Sequence, residues 1–374
     1  MDATTYQDYV NILHEELVPA MGCTEPIAIA YAAAVARQTL GRPAQRMEVE
    51  ASGNIIKNVK SVFVPNTGGL RGIPAAAAAG MAAGDPALEL EVLSSIGEGE
   101  QAAIRQYLAD TPIAVKLADS PFIFDIAIRA WAGEDSALVR IVNYHTNIVR
   151  VERNGQVLKE VEAQAAAEEG LTDKSVLTVE GILEFAREAA LADVEDAVGR
   201  QVRYNTAIAQ EGLRGDYGAN IGKVLLATYG DDVKIRAKAM AAAGSDARMN
   251  GCGLPVVIVS GSGNQGLTAS LPVVEYAKEL GADWETTLRA VLVSDLITIH
   301  LKAEIGRLSA YCGAVSAGCG SGAGIAWLYG REKEPQALLK DVSHTIVNAL
   351  AVDSGIVCDG AKASCAAKIA SAVD

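Results

Sequence analysis

The chain has 374 residues, half of them apolar, and 32 basic against 46 acidic side chains give a net charge of −14. That is more apolar material than one compact core usually holds, so two domains are expected. The acidic balance, with no Lys/Arg cluster interleaved with aromatics, argues against nucleic acid as a partner, and no stretch reaches the roughly 18 to 20 uninterrupted apolar residues that a membrane span needs.

The N-terminus, MDATTYQDYVNILHEELVPA, starts acidic and polar, unlike a secretory signal, and a soluble cytoplasmic protein is expected. Residues 5–17 carry apolar positions at helical spacing until Pro19. Residues 26–40, PIAIAYAAAVARQTL, read as an Ala-rich helix with Pro26 in its first turn, where a missing N–H costs nothing. The short connection MGCT between these helices holds Cys23.

From about 44 to 165 the texture changes to alternating or β-branched runs: MEVEA, VKSVFVP, LELEVL, IAVKLA, FIFDIAIRAW, ALVRIVNYHTNIVRVE and QVLKEVE. Asn154-Gly155 between two such runs signals a hairpin, and Ala-rich segments near 74–83 and 98–109 supply helices. After about 174, Ala-rich helical segments follow one another to the end. Two that are apolar most of the way round, 254–259 and 289–299, read as buried helices. The first 40 residues share this texture and are expected to pack on it. The predicted fold is α+β, with a large helical domain (1–42 plus 174–374) and an inserted α+β domain (43–173) whose sheet is mainly antiparallel.

Gly/Ser-rich breaks punctuate the helical half: NGCG (250–253), SGSGNQG (260–266), CGAVSAGCGSGAG (312–324) and CDGAKASC (358–365). Glycine costs about 1 kcal/mol against Ala inside a helix, so either helices pack very closely there or backbone N–H groups at helix starts face a ligand. SGSGNQG lacks the Gly-Lys-Ser/Thr ending of a nucleotide loop. It reads as a loop feeding a helix N-terminus suited to a carboxylate or phosphate, or as a tight packing element.

Six cysteines are too few for a disulfide framework in a chain this long, and four of them follow residue 311. In one uninterrupted helix Cys358 and Cys365 would lie about 10 Å apart along the axis, at roughly 1.5 Å per residue, too far for a disulfide. Gly360 lets the chain turn between them, so their sulfurs can converge on an inorganic centre. Cys319, in an equally Gly-rich stretch, is the candidate third thiol. Three thiolates with one open position suit an iron–sulfur cluster. Zinc, and inert buried thiols, are the alternatives at this point.

PAMGCTEPIAIAYAAA, SGNIIKNVKSVFVPNTGG, HTNI, SGSGNQG, IGRLSAYCGAVSAGCGSGAG and CDGAKASCAAK together resemble the L-cysteine desulfidase family, the UPF0597 or CyuA proteins, over essentially the whole chain. That family is in turn similar to the iron–sulfur L-serine dehydratases in their α-domain. The resemblance implies a [4Fe-4S] cluster, no pyridoxal phosphate, and conversion of L-cysteine to pyruvate, ammonia and sulfide. Its cluster ligands fall on Cys319, Cys358 and Cys365, and the cysteine of its GCTEP motif falls on Cys23. Cys252 and Cys312 do not match ligand positions and read as small buried thiols. Family members continue past CDGAKASC through another helix or two, whereas this chain ends at Asp374.

Cys23, at a loop-to-helix junction that lowers a thiol pKa, is the candidate base, and Lys362 a candidate cation for cluster or substrate. Ser262, Asn264 and Gln265 are candidate substrate-binding residues beside the α-carboxylate, with His145 of NYHTNIV as a substrate-side group. Lys302 is a weaker candidate; Glu25 reads as a first-turn partner of its helix dipole, and His14, His300 and His344 as structural or solvent-facing. Expected partners are a small amino-acid substrate, with a homodimer as candidate assembly. Serine dehydration, and a non-catalytic amino-acid-binding protein, are the competing functions.

Overall fold

The computed structural model describes residues 1–163, 171–306, 309, 311–358 and 360–374. Arg307, Leu308 and Ala310 of the IGRLSAYCG motif and Asp359 of CDGAKASC lie outside the described residues. The first helix, α1 (Ala3–Glu16), begins at Asp2, whose carboxylate accepts from the N–H groups of Thr4 and Thr5 at 3.0 Å each. Strand β1 (Pro19–Met21) leads into α2 (Thr24–Leu40), followed by β2 (Arg46–Ala51), α3 (Gly53–Val59), α4 (Gly72–Ala83) and α5 (Glu98–Asp110). Then come β3 (Ile113–Leu117), β4 (Asp125–Ala132), β5 (Asp135–Val142), β6 (Ile148–Arg153) and β7 (Gln156–Glu160). The second half runs through α6 (Val179–Glu188), α7 (Leu191–Arg214), α8 (Ile221–Tyr229), α9 (Val233–Met249) and β8 (Pro255–Val257). It ends with α10 (Gly263–Glu279), α11 (Trp284–Ala303), α12 (Gly313–Gly330), α13 (Pro335–Asp353) and α14 (Cys365–Val373).

The six-stranded sheet has the order β3-β2-β4-β5-β6-β7, and every pairing is antiparallel except β2 with β3. Alternation places Val49, Ile128, Val139 and Val151 in one cross-strand row, with Ile126, Ile128 and Ala130 fully buried along β4. The β6–β7 hairpin turns at Asn154 and Gly155, both at positive φ (52° and 79°), as the Asn-Gly pair predicts.

Three local expectations are replaced. LELEVL (88–93) alternates like a strand, but Asp85 caps the N–H of Ala87 and Pro86 opens a short 3-10 helix over Pro86–Glu91. In VKSVFVP (59–65) the chain leaves α3 and makes one isolated bridge, Phe63 to Arg71. The apolar run 254–259 contains β8, paired with β1 (Pro19 with Val257), since so short a run carries no period that separates strand from helix.

α1 packs with α6, α7 and α10–α13 in one core, as its texture implied. α2 does not follow it. It lies on the sheet and against α4, sharing a core that also takes in residues of α9, α10 and α14. Thirteen of its seventeen residues are buried, which only small side chains such as its alanines permit on both sides. Among the described residues no helix is long and apolar enough to cross a membrane.

Candidate active site

Four helices, α2, α10, α12 and α14, begin at one cavity of about 110 Å³. Their starting residues Cys23, Ser262 and Cys312 (N-caps) and Cys365 (first turn) line it, and none of these four helices has a side-chain hydrogen bond at its cap. Uncapped helix starts leave N–H donors and positive dipole ends facing a ligand. Lys57, Arg248, Lys302 and Lys368 add cations, while Glu25 is the acidic side chain among the described lining residues. In a chain of net charge −14 this is a local reversal of sign suited to anions.

Three thiols, Cys312, Cys358 and Cys365, share the cavity wall. Burial pushes the Cys365 thiol up, and Cys312 and Cys358 act on it in the same direction; burial and Cys358 do the same to Cys312. Gly360 has the turn anticipated for it, at φ 99°, and a Cβ there would lie 2.8 Å from the Lys57 carbonyl of α3. Lys57 Nζ in turn donates to the Cys358 carbonyl at 3.4 Å.

Cys319, the expected third thiol, is not on this wall. The Gly-rich stretch 313–324 is not a break but part of one continuous helix, α12, with Cys312 at its cap and Cys319 two turns farther in. Cys319 is buried, and burial, then the Asp353 carboxylate at the end of α13, push its thiol up to about 12. Cys312, set aside on sequence grounds, occupies the place expected of Cys319. The glycines serve helix packing, a Cβ on Gly320 lying 2.5 Å from the Ser294 carbonyl of α11.

In the same cavity the Cys23 thiol donates to Glu25 Oε2 at 3.0 Å, and Asn58 Nδ2 donates to Glu25 Oε1 at 2.9 Å. Burial acts to raise the Glu25 pKa, but His145 and the hydrogen bonds from Cys23 and Asn58 bring it below the ordinary carboxylate value. For Cys23 the expected lowering is reversed. Burial, with the Glu25 carboxylate next, holds its pKa well above an ordinary thiol despite Arg248. Glu25 thus lines the cavity as a hydrogen-bond acceptor for Cys23 and Asn58 rather than as a dipole partner alone.

Ser262, Asn264 and Gln265 line the cavity at the start of α10, and the Thr24 hydroxyl ties α2 to this loop through the Gly261 carbonyl at 3.1 Å. Arg248, at the end of α9, is missed by sequence reasoning. It is 3% exposed, donates to Asn264 Oδ1 at 3.0 Å, and pairs with no carboxylate among the described residues. The available signal was an arginine in a segment, AAAGSDARM, that is otherwise buried on all sides. Lys302, ranked low, lines the cavity and is 3% exposed. His145 is buried behind Glu25, its ring 4.8 Å from that of Phe124, and neither His145 nor Lys362 lines the cavity.

Among the described residues no three His, Cys, Asp or Glu side chains converge as a finished metal site. The donor set nevertheless fits an iron–sulfur cluster in kind and number, with three thiols on one wall and cations to offset the charge of their thiolates.

A family model for the serine dehydratase alpha chain matches residues 87–374, more than half of the chain. The chain belongs to this family. As a member of the serine dehydratase alpha-chain family it is also 58% identical over 369 residues to the UPF0597 protein of Desulfitobacterium hafniense, an alignment covering 99% of this chain and 84% of that protein. The UPF0597 protein of Lachnoclostridium phytofermentans is 53% identical, covering 99% and 87%, and that of Treponema denticola 46% identical, covering 100% and 87%.

Proposed function

We propose that this serine dehydratase-like protein is a lyase that eliminates sulfide from L-cysteine to give pyruvate, ammonia and hydrogen sulfide. Cys312, Cys358 and Cys365 would hold a [4Fe-4S] cluster, and no pyridoxal phosphate is required. The observation that carries this reading is three thiols and a hydrogen-bonded Cys23–Glu25 pair lining one cationic cavity. When bound, a cluster with three protein ligands and one open iron supplies a Lewis acid to the leaving group.

The chain's own residues move the proton and hold the substrate. Elimination takes the Cα proton, turns the Cα–H electron pair into a Cα=Cβ bond and releases sulfur with the Cβ–S pair. The enamine then tautomerises and hydrolyses to pyruvate and ammonia. Glu25 Oε2 accepts the hydrogen bond from Cys23 Sγ and fixes its place; as a thiolate Sγ takes the Cα proton, and the burial and neighbouring carboxylate that raise its pKa make it the stronger base. Asn58 and His145 keep Glu25 ionised and in place, which makes both positioning residues. Ser262, Asn264 and Gln265 hold the substrate head at the start of α10.

Serine dehydration is the second reading, favoured by the description of the matching family. It needs the same proton removal with hydroxide as the leaving group. Relative turnover of the two amino acids by anaerobically reconstituted protein separates them. Iron and sulfide analysis tests the ligands: Cys312→Ser, Cys358→Ser and Cys365→Ser are each expected to lose the cluster, and Cys319→Ser to keep it. The opposite outcome at 312 and 319 would overturn the ligand set, and a colourless, iron-free wild-type preparation made without oxygen would leave an amino-acid-binding protein instead.

A further inference from the structure

Three side chains around the cavity are at least nine-tenths buried and each keeps one polar atom without a partner among the described residues: Arg248 Nε (3% exposed), Gln265 Oε1 (3%) and Asn58 Oδ1 (6%). One is a cationic donor and two are neutral acceptors. Buried polar groups are nearly always satisfied, so three exceptions on a single cavity call for a ligand that completes them.

The orientations of Asn58 and Arg248 are set by the protein. Asn58 must point Nδ2 at the Glu25 carboxylate, which leaves Oδ1 as the open acceptor. Arg248 is held through Nη1 by Asn264 Oδ1 at 3.0 Å and by Met249 Sδ at 3.3 Å, so its free edge is Nε. Gln265 packs over the start of α12, where a Cβ on Gly313 would lie 2.6 Å from its amide carbon. Arg248 lines the same cavity as Cys23 and Cys365.

We propose that Arg248, Asn58 and Gln265 clamp the zwitterionic head of a free α-amino acid. Arg248 Nε–H takes the carboxylate, and Asn58 Oδ1 and Gln265 Oε1 accept from the α-ammonium. Glu25, hydrogen-bonded to Asn58, adds negative charge on the ammonium side, and the α10 helix start adds positive potential on the carboxylate side. The clamp selects for a free α-amino and a free α-carboxylate group and is indifferent to what the β-carbon carries. It deepens the lyase reading and rests on the same cavity.

The test is calorimetric binding to the cluster-loaded protein, kept anaerobic, with L-alanine, which has no leaving group, and with propionate, which lacks the ammonium. Wild type is expected to bind L-alanine more tightly than propionate. Arg248→Met should weaken both by roughly tenfold to a hundredfold, the range for a hydrogen bond to a charged group, with Arg248→Lys between them. Gln265→Leu should weaken L-alanine and leave propionate unchanged, a split that mere loss of packing would not produce. Unaltered L-alanine affinity in Arg248→Met, equal losses for both ligands in Gln265→Leu, or no L-alanine binding by wild type would each overturn the clamp. Because nothing here depends on turnover, a protein that binds L-alanine this way yet eliminates from neither cysteine nor serine would keep the clamp and lose the lyase reading.

Discussion

Cys23 and Glu25 show how burial and a neighbour together decide what a residue can do. A thiol at a helix start is ordinarily acidified, but here desolvation and an adjacent carboxylate act the other way, so the proton is held on sulfur and the thiolate, once formed, is a strong base. Glu25→Gln keeps the shape of the site and removes the negative charge that strengthens that base. It is expected to retain iron and lose roughly 10²- to 10⁴-fold in kcat, the usual span for general base catalysis; steady-state rates alongside iron per chain would check this. Asp295 on α11 is a second buried acid, fully enclosed and hydrogen-bonded by Gln201 Nε2 at 2.9 Å. Burial raises its pKa from 3.8 to about 8. Between those values the folded chain keeps a proton that the unfolded chain has released, so stability falls as pH rises through that window. Asp295→Asn is therefore expected to melt higher than wild type at pH 8 to 9, with the gap closing toward pH 4. Parallel melting curves across that range would show it, and a constant offset would refute the assignment.

At the scale of elements, the Gly-rich stretches divide by what surrounds them rather than by composition. SGSGNQG is a loop entering α10, and CDGAKASC turns at Gly360 before α14, as their glycines predict. CGAVSAGCGSGAG is instead a helix whose glycines let α11 and α14 approach, Gly318 against the Ala372 carbonyl and Gly320 against that of Ser294. Nothing local distinguishes the two uses, because glycine is permissive in both, so nothing local shows that Cys312 rather than Cys319 lines the cavity. Gly320→Ala would gain about 1 kcal/mol of helix propensity but force overlap that typically costs about 1 to 3 kcal/mol. A net loss of about 1 kcal/mol is expected from urea midpoints, and an unchanged midpoint would mean the seam has slack.

In the whole molecule the cavity is built by both halves of the chain. α3 and the start of α2, packed on the sheet, meet α9, α10, α12 and α14, and the contact of Gly360 with Lys57 is one place where they touch. A cluster that binds only the folded chain stabilises it by mass action. Anaerobic reconstitution should raise the melting temperature of wild type and raise it less in Gly360→Ala, where a side chain at φ 99° pressed on Lys57 shifts the Cys358 turn. Iron per chain and melting curves recorded together would show whether the two effects track each other.

The residues alone determined most of the helices, the mainly antiparallel sheet with its Asn-Gly hairpin, the family, and the loops around Cys23, Ser262 and Cys358 that meet at the cavity, because these follow from local periodicity, turn chemistry and motifs. Tertiary packing decided which face of each segment looks inward. It put α2 on the sheet, ran α12 unbroken so that Cys312 rather than Cys319 reaches the thiol wall, and buried Arg248 beside the start of α10. Burial and through-space charge are properties of neighbours distant in sequence, and no local pattern contains them.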